Sequence, residues 1–167
     1  MKKLTVMVIA LVLPMVLIAQ SSAIKNFQSK YKDNDDATYV TITGPFFKFL
    51  SSITDYDADP DALALGRVVE GIKSMKIVQV PYYETDLKRE EVDQLLNSIQ
   101  KDNYEELINV RDGRDKVSIM AQGEDSKLRN ILIFIDNKNE FTLMNIDGTL
   151  SMEDIAYLSK HHKNFHK

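Results

Sequence analysis

The amino-acid sequence predicts a single α+β domain built on a mostly antiparallel sheet of five to six strands. The first half of the chain alternates segments of helical apolar spacing with short β-branched runs. The second half holds four β-type runs separated by turn residues, which predicts a C-terminal β-meander. No internal repeat or long linker interrupts the pattern, so we expect the helices to pack on one face of one sheet.

The first 23 residues have the layout of a secretory signal peptide. A positive "MKK" precedes the apolar run "LTVMVIALVLPMVLIA", and "AQSSA" supplies small residues for a peptidase. Cleavage after Ala19 would leave Gln20 first, and cleavage after Ala23 would leave Ile24 first. A retained anchor is the alternative, although the run is short for a bilayer span. We therefore expect a periplasmic or extracellular protein without stable membrane insertion after cleavage.

The domain is expected to span residues 24–160, followed by a disordered tail at 161–167. Ile24, Phe27 and Tyr31 have helical spacing and predict a first helix, after which "TYVTIT" reads as a strand. Three further helices are predicted by apolar residues at i, i+3, i+4 and i+7. Their expected inward-facing residues are Phe46, Phe49, Leu50 and Ile53; Leu65, Val68, Val69 and Ile72; and Val92, Leu95, Leu96 and Ile99.

The remaining strands follow from β-branched runs and turn signals. "MKIVQV" is a strand that ends at Pro81, and "YEELINV" is joined to "KVSIMAQ" by a tight turn at Asp112 and Gly113. "NILIFI" is apolar on both faces, which places it in the sheet centre, and "FTLMNI" follows it. Ser151 and Asp154 form a capping box that begins the last helix, "SMEDIAYLSK".

The stretch "DYDADPDALALG" raises the question of a calcium site, because Asp55, Asp57, Asp59 and Asp61 occupy alternate positions. An EF-hand loop needs glycine at position 6 and a bidentate glutamate at position 12. This stretch has proline and glycine there. We interpret Asp59 as the N-cap of a helix whose first residue is Pro60. A weak, irregular calcium site formed by the four aspartates is the alternative.

The residue inventory disfavours catalysis, and we expect neither an enzyme nor a cofactor. The chain has no cysteine, and its three histidines all lie in the tail "HHKNFHK". A Ser-His-Asp or Cys-His arrangement in the core is therefore excluded. Removing residues 1–23 takes two lysines, so 19 of 21 basic residues remain against 25 acidic ones, a net charge of −6. This balance disfavours nucleic acid as a partner.

Aromatic residues give the main signal for a contact surface. Tyr82 and Tyr83 are adjacent in a loop and cannot both enter one core, and Phe47 lies off the predicted apolar stripe of its helix. Because tyrosine is enriched at interfaces, we predict a binding surface that includes Tyr82, Tyr83 and Phe47. The alternative is that both tyrosines pack at the end of the sheet. An exposed sheet edge could also recruit a strand from a partner.

The order of segments carries a family resemblance. After the signal peptide and a short helix come "DDATYVTITGPFFKFL", "GIKSMKIV", "YEELINVRDGRDKVSIMAQ", "NILIFI" and "IDGTLSMEDIAYL". This order resembles a domain-of-unknown-function family of small exported envelope proteins from Bacteroidetes, over roughly the whole mature chain. The resemblance implies an α+β envelope protein in a family with some lipid-anchored members and genes often near sigma-factor genes. This chain lacks the lipid-anchoring cysteine, and the resemblance implies no catalytic or binding residues.

These observations predict an exported cell-envelope protein that is not an enzyme. We expect it to bind another envelope protein or to act as an accessory, stress-linked module. The alternative is a small-ligand or weak calcium-binding module that uses the loop from Asp55 to Asp61. A hydrolase with carboxylate or serine chemistry is a third hypothesis, disfavoured because the usual bases are absent.

Overall fold

A computed structural model describes residues 21–53, 60–124 and 126–161 of the chain. This part contains helices and strands in close alternation, followed by four consecutive strands and a last helix. The elements are α1 (Ser22–Tyr31), β1 (Thr38–Thr43), α2 (Gly44–Ile53), α3 (Pro60–Gly71), β2 (Ile72–Pro81), α4 (Arg89–Gln100), β3 (Glu105–Asp112), β4 (Asp115–Glu124), β5 (Lys127–Asp136), β6 (Glu140–Ser151) and α5 (Met152–His161).

The strands form one antiparallel six-stranded sheet with the order β1-β2-β6-β5-β4-β3. The predicted α+β class and the C-terminal meander are confirmed, since β3 to β6 are neighbours in chain order. The apolar strand β5 lies inside the sheet, as its sequence indicated. Asp112 pairs with Asp115 around a two-residue turn. Gly113 begins that turn with φ +59°, a conformation that glycine adopts at no steric cost.

The prediction that the helices pack on one face was wrong, because they cover both faces of the sheet. Along β5, Leu132 and Phe134 join a core with α1 and α4. The alternate residues Ile131 and Ile133 join a second core with α3 and α5. Successive side chains of a strand point to opposite faces. An inner strand that is apolar on both sides therefore needs cover on both sides.

The larger core lies between the sheet and helices α1 and α4. Ile24, Phe27 and Tyr31 are buried from the α1 side, as their spacing predicted. The Phe27 ring centroid lies 5.5 Å from that of Phe141 on β6, in an edge-to-face arrangement. Each such fully buried side chain contributes about 1.5–3 kcal/mol of hydrophobic stabilisation. On the α4 side, the buried residues are Val92, Leu95 and Ile99, with Leu96 partly buried.

Helix α2 buries a different face from the predicted one. Phe47 is only 6% exposed, whereas Phe46 and Phe49 are 48% and 57% exposed. The side of α2 that meets β2 and α3 therefore carries Phe47, and Phe46 and Phe49 of the predicted stripe face outward. Within the described ranges, neither α2 nor another helix is long and apolar enough to cross a membrane.

Helix α3 begins at Pro60, as predicted, and ends at Gly71. Ile72, which was predicted to lie on the inward face of this helix, is instead the first residue of β2. The end of α3 lies directly against β6. A Cβ added to Gly71 would collide with the backbone of Thr149, and one added to Gly148 would collide with Gly71. The two glycines allow this close backbone approach, which turns the chain from helix into strand.

One of the two hydrogen bonds of the capping box predicted for α5 is present, the one to the Ser151 side chain. The backbone N–H of Asp154 donates a hydrogen bond to Ser151 Oγ at 3.4 Å. The Asp154 carboxylate does not complete the box but accepts a hydrogen bond from Arg67 Nε at 2.8 Å. This pair joins α5 to α3, so the helices of the second core are linked by charge as well as by apolar packing.

Candidate binding surface

One end of the sheet gathers most of the residues that point to binding, and we call it the loop end. It consists of residues 81–89, 111–116 and 136–140. Strand β2 ends there, the turn between β3 and β4 lies there, and β5 turns into β6 there. Helix α4 begins at the same end with Arg89. Arg89, Gly113 and Asp136 line one cavity, which shows that the three segments are close in space.

Tyr82 is anchored at the loop end by a small polar cluster. Its backbone N–H donates to the carbonyl of Asn139 at 2.8 Å, and its hydroxyl donates to Asp136 Oδ1 at 2.7 Å. Arg89 Nη1 donates to the same carboxylate oxygen at 2.8 Å. The Arg89 guanidinium also lies 4.3 Å from the centroid of the Tyr82 ring, a cation–π contact. Tyr82 is therefore part of the framework and not a free contact residue.

The environment of Tyr82 favours its neutral form. Burial raises the pKa of the hydroxyl, and the hydrogen bond to Asp136 raises it further. Arg89 opposes these effects, because a nearby cation favours the phenolate. The net effect is a pKa above the usual value, which keeps the proton that bonds Asp136 in place over the neutral pH range.

Tyr83 has the opposite environment. Its side chain is 77% exposed. The loop around it is held by Thr85, whose Oγ1 donates a hydrogen bond to the Pro81 carbonyl at 2.6 Å and accepts one from the Leu87 N–H at 3.4 Å. A rigid loop that presents one exposed tyrosine loses little conformational entropy on binding. The structure thus places one predicted tyrosine in the framework and the other at the surface, and the contact role of Tyr83 stays a prediction.

The other residues predicted for a site lie elsewhere. Phe47 is buried on α2, where its ring lies 6.0 Å from that of Phe46, so it offers no surface in the folded chain. Asp55, Asp57 and Asp59 lie outside the described residues, and only the backbone of Asp61 is described, in α3. Among residues 21–53, 60–124 and 126–161, no group of three His, Asp or Glu side chains is placed to hold a metal ion.

A cleft of about 360 Å³ lies between α4 and the hairpin of β3 and β4, and we call it the basic cleft. Arg89, at its edge, is paired with Asp136. In the described part of the chain, Arg111, Arg114 and Lys116 have no side-chain hydrogen bond and no ion pair. The residues that line the cleft are Arg89, Asp93, Leu96, Arg111, Gly113, Arg114, Lys116 and Asp136.

Sequence reasoning did not find the basic cleft. Its residues come from α4, from the β3–β4 hairpin and from the end of β5, and each looks like an ordinary surface charge in its own segment. One local signal was available: "RDGRDK" carries three cations around a tight turn. Arg111 and Lys116 are direct cross-strand partners, so their side chains lie on the same face of the sheet.

Strand β3 forms one edge of the sheet and is open to solvent along its whole length. All eight of its residues are exposed. In the described sheet it has a neighbour on one side only, β4. Leu107, Ile108 and Val110 are 40%, 47% and 53% exposed. Large apolar side chains on an open edge are typical of a site for another strand.

Polar contacts and strand pairing hold β3 in place on β4. Glu106 accepts hydrogen bonds from Ser118 Oγ at 2.9 Å and from Asn109 Nδ2 at 2.7 Å. Ile108 and Val110 lie opposite Ile119 and Val117, so both side chains point to one face of the sheet. The strand is therefore an ordered edge with a polar face and an apolar face.

Comparison with protein-family models matches residues 31–158 to the family described as "Domain of unknown function (DUF4252)". The match begins at the last residue of α1, covers all six described strands and ends within α5. No curated protein and no solved structure matches the chain.

Proposed function

From the premise that this chain belongs to the DUF4252 family, a domain of unknown function, we propose that it is an exported, non-enzymatic module that binds another protein of the cell envelope. The signal-peptide pattern of residues 1–23 supports export to the periplasm or the outside. The resemblance to small exported Bacteroidetes proteins supports an envelope role that is accessory or stress-linked. The resemblance implies a lipid anchor on cysteine for some members, and this sequence contains no cysteine.

The observation that carries the proposal is the open edge strand β3. Natural proteins usually blunt such edges with charges, proline or short strands, because a free row of N–H and C=O groups recruits other chains. Here the central residues Leu107, Ile108 and Val110 are apolar and exposed. On the opposite edge strand, β1, Tyr39 and Ile42 are partly buried, and Val40, at 38%, is the one large apolar residue of β1 that is exposed. An interface is therefore better supported on β3 than on β1.

The mode of binding that fits β3 is strand addition. An extended segment of the partner would form main-chain hydrogen bonds with the outer edge of β3. Apolar side chains on that segment would cover Ile108 and Val110, and would extend the row that begins with Ile119 and Val117 on β4. The partner is thus expected to contribute a short β-branched or aromatic segment, and Tyr83 provides a further exposed ring at the loop end.

The test is a crosslinking pull-down of the tagged, exported protein from its native envelope, with three variants. We expect one stoichiometric partner that is retained by Val40→Lys, the matched control on the other edge strand. We expect Ile108→Lys and Val110→Lys to lose it, because each would place a charge in the covered row. Backbone amides of β3 should also gain protection from hydrogen exchange in the complex. Capture that is unchanged in all three variants, or no specific partner, would contradict the proposal.

A further inference from the structure

We infer that the basic cleft is a binding site for a small organic oxyanion that carries at least two negative charges. This inference goes beyond the proposed strand addition and does not depend on it, because it requires only the walls of the cleft. Its ligand is a phosphate ester or a polycarboxylate, two groups that share the same oxyanion chemistry.

The basic cleft carries a net positive charge. Four cations and two carboxylates line the cleft, which leaves it with a charge of +2 in a chain whose formal net charge is −4. The Asp136 carboxylate lies directly opposite Lys116 across the β4–β5 pair. Its hydrogen bonds go to Arg89 and Tyr82, and it forms no ion pair with Lys116. Asp93 is exposed on α4 and forms no ion pair with a described residue. Within the described part of the molecule, no carboxylate forms an ion pair with Arg111, Arg114 or Lys116. The two acids of the same hairpin, Asp112 and Asp115, are not among the residues that line the cleft.

The cations of the basic cleft lie close together on the hairpin of β3 and β4. Arg111 and Lys116 are directly opposite on neighbouring strands, where like charges destabilise a sheet. Arg114 follows Gly113, whose φ is +59°, and lines the same cleft as Arg111 and Lys116. A bound anion would relieve this repulsion. Guanidinium groups match the oxygens of phosphate and carboxylate with paired, parallel hydrogen bonds, so two arginines and a lysine select an oxyanion over chloride.

The volume of the basic cleft suits a small organic ligand. Ligand cavities in proteins occupy roughly 300–1,000 Å³, and the basic cleft, at about 360 Å³, lies at the small end of that range. A water molecule takes up about 30 Å³ of liquid, so the cleft exceeds the needs of an inorganic ion and its hydration. Leu96 supplies an apolar wall against which the carbon portion of a small organic anion can pack.

The test is isothermal titration calorimetry of the exported protein at constant ionic strength, with pyrophosphate, citrate and acetate as probes. We expect one site per chain, with submillimolar affinity for pyrophosphate, citrate or both, and no measurable binding of acetate. Pyrophosphate alone would identify a phosphate as the ligand group, and citrate alone a polycarboxylate. Arg114→Gln and Lys116→Gln should each weaken binding at least tenfold without lowering the melting temperature of the free protein. Lys25→Gln, on the exposed side of α1, is the matched control and should bind normally.

Several results would overturn the inference. Absence of binding for both polyvalent probes would do so, as would an equal loss of affinity in Lys25→Gln, which would indicate only nonspecific charge attraction. A tetraglutamate peptide that binds more tightly than either probe would replace the small ligand with an acidic protein segment. The strand-addition test is independent, because Val110→Lys is expected to lose the partner and keep the anion.

Discussion

Tyr82 and Tyr83 show how adjacent residues of one type take different roles. The Tyr82 hydroxyl is held by Asp136 beneath the guanidinium of Arg89, whereas Tyr83 is 77% exposed. Nothing in the dipeptide distinguishes the two side chains. The difference arises from the direction in which the chain leaves Pro81, because Tyr82 continues toward the β5–β6 turn, where its N–H bonds Asn139, and the next side chain points away.

We predict that Tyr82→Phe lowers the free energy of unfolding by about 1–2 kcal/mol at neutral pH, since it removes a hydrogen bond to a charged carboxylate. Tyr83→Phe is the matched control and should change it by less than about 0.5 kcal/mol, as is usual for exposed side chains. Urea denaturation of both variants and the wild type measures the difference. Equal stability of the two variants would show that the Tyr82 hydroxyl contributes nothing.

The same residue sets an expectation at alkaline pH. The pKa of Tyr82 is raised by folding, so between its unfolded value of about 10 and its higher folded value the unfolded chain loses the proton first. Stability is then fully present below about pH 10 and falls as the pH rises toward the folded pKa. We predict that the stability gap between wild type and Tyr82→Phe narrows from pH 9 to pH 11, measured by urea denaturation at each pH. A constant gap would contradict the raised pKa.

At the scale of the element, α2 shows where apolar periodicity is ambiguous. The segment "PFFKFL" has apolar side chains at four of six positions, so two different stripes have helical spacing. Spacing at i, i+3, i+4 and i+7 predicts the stripe through Phe46 and Phe49, but contact with β2 and α3 is made by Phe47. Helical spacing defines a face only when polar residues mark the other face, and Lys48 alone does not do so.

We predict that Phe47→Ala costs about 3 kcal/mol of unfolding free energy, the usual cost of removing a buried phenylalanine ring. Phe46→Ala and Phe49→Ala should each cost less than about 1 kcal/mol, because their rings are about half exposed. Thermal or urea denaturation of the three variants ranks the positions. A larger loss of unfolding free energy in Phe49→Ala than in Phe47→Ala would contradict this prediction and favour the face predicted from the apolar spacing.

The elements whose sequence carries two consistent signals were predicted correctly. Helix α4 has an apolar stripe at Val92, Leu95 and Ile99 with acids in its first turn, and the β3–β4 hairpin has both alternation and a glycine turn. The apolar pattern of β5 also implies that helices cover both faces of the sheet. Ile131 and Leu132 are buried on opposite sides of this strand, so each side needs a layer of helices. This pattern correctly predicts that β5 lies inside the sheet. The prediction that the helices pack on one face did not take the same pattern into account.

At the scale of the whole molecule, the basic cleft could not be predicted from the sequence. Its residues come from segments that are distant in the chain and become neighbours only in the folded sheet. Arg89 and Arg111 are on different elements, and Asp136, at the end of β5, lines the same cleft. The charge of one residue gives no information about its neighbours across the sheet. The edge position of β3 also depends on strand order, which the hydrophobic pattern of one strand does not specify.

The packing of α1 bears on the choice between the two signal-peptide cleavage positions that the sequence predicts. Helix α1 begins at Ser22, and the carbonyl of Ser21, which is 3% exposed, accepts the N–H of Lys25 at 3.2 Å. Ile24 is fully buried against the sheet. Cleavage after Ala23 would remove the first turn of α1. It would also place a new ammonium group on a buried residue, at a helix end where positive charge is unfavourable.

We therefore predict that export yields a chain beginning at Gln20, after cleavage at Ala19. Intact mass spectrometry of the exported protein distinguishes this chain from one beginning at Ile24. In urea denaturation, the form from Gln20 to Lys167 should be more stable than the form from Ile24 to Lys167 by about 1–3 kcal/mol, the cost of an unpaired buried polar group. If the exported protein begins at Ile24 and is as stable as the form from Gln20, the larger core does not need the first turn of α1 for its stability.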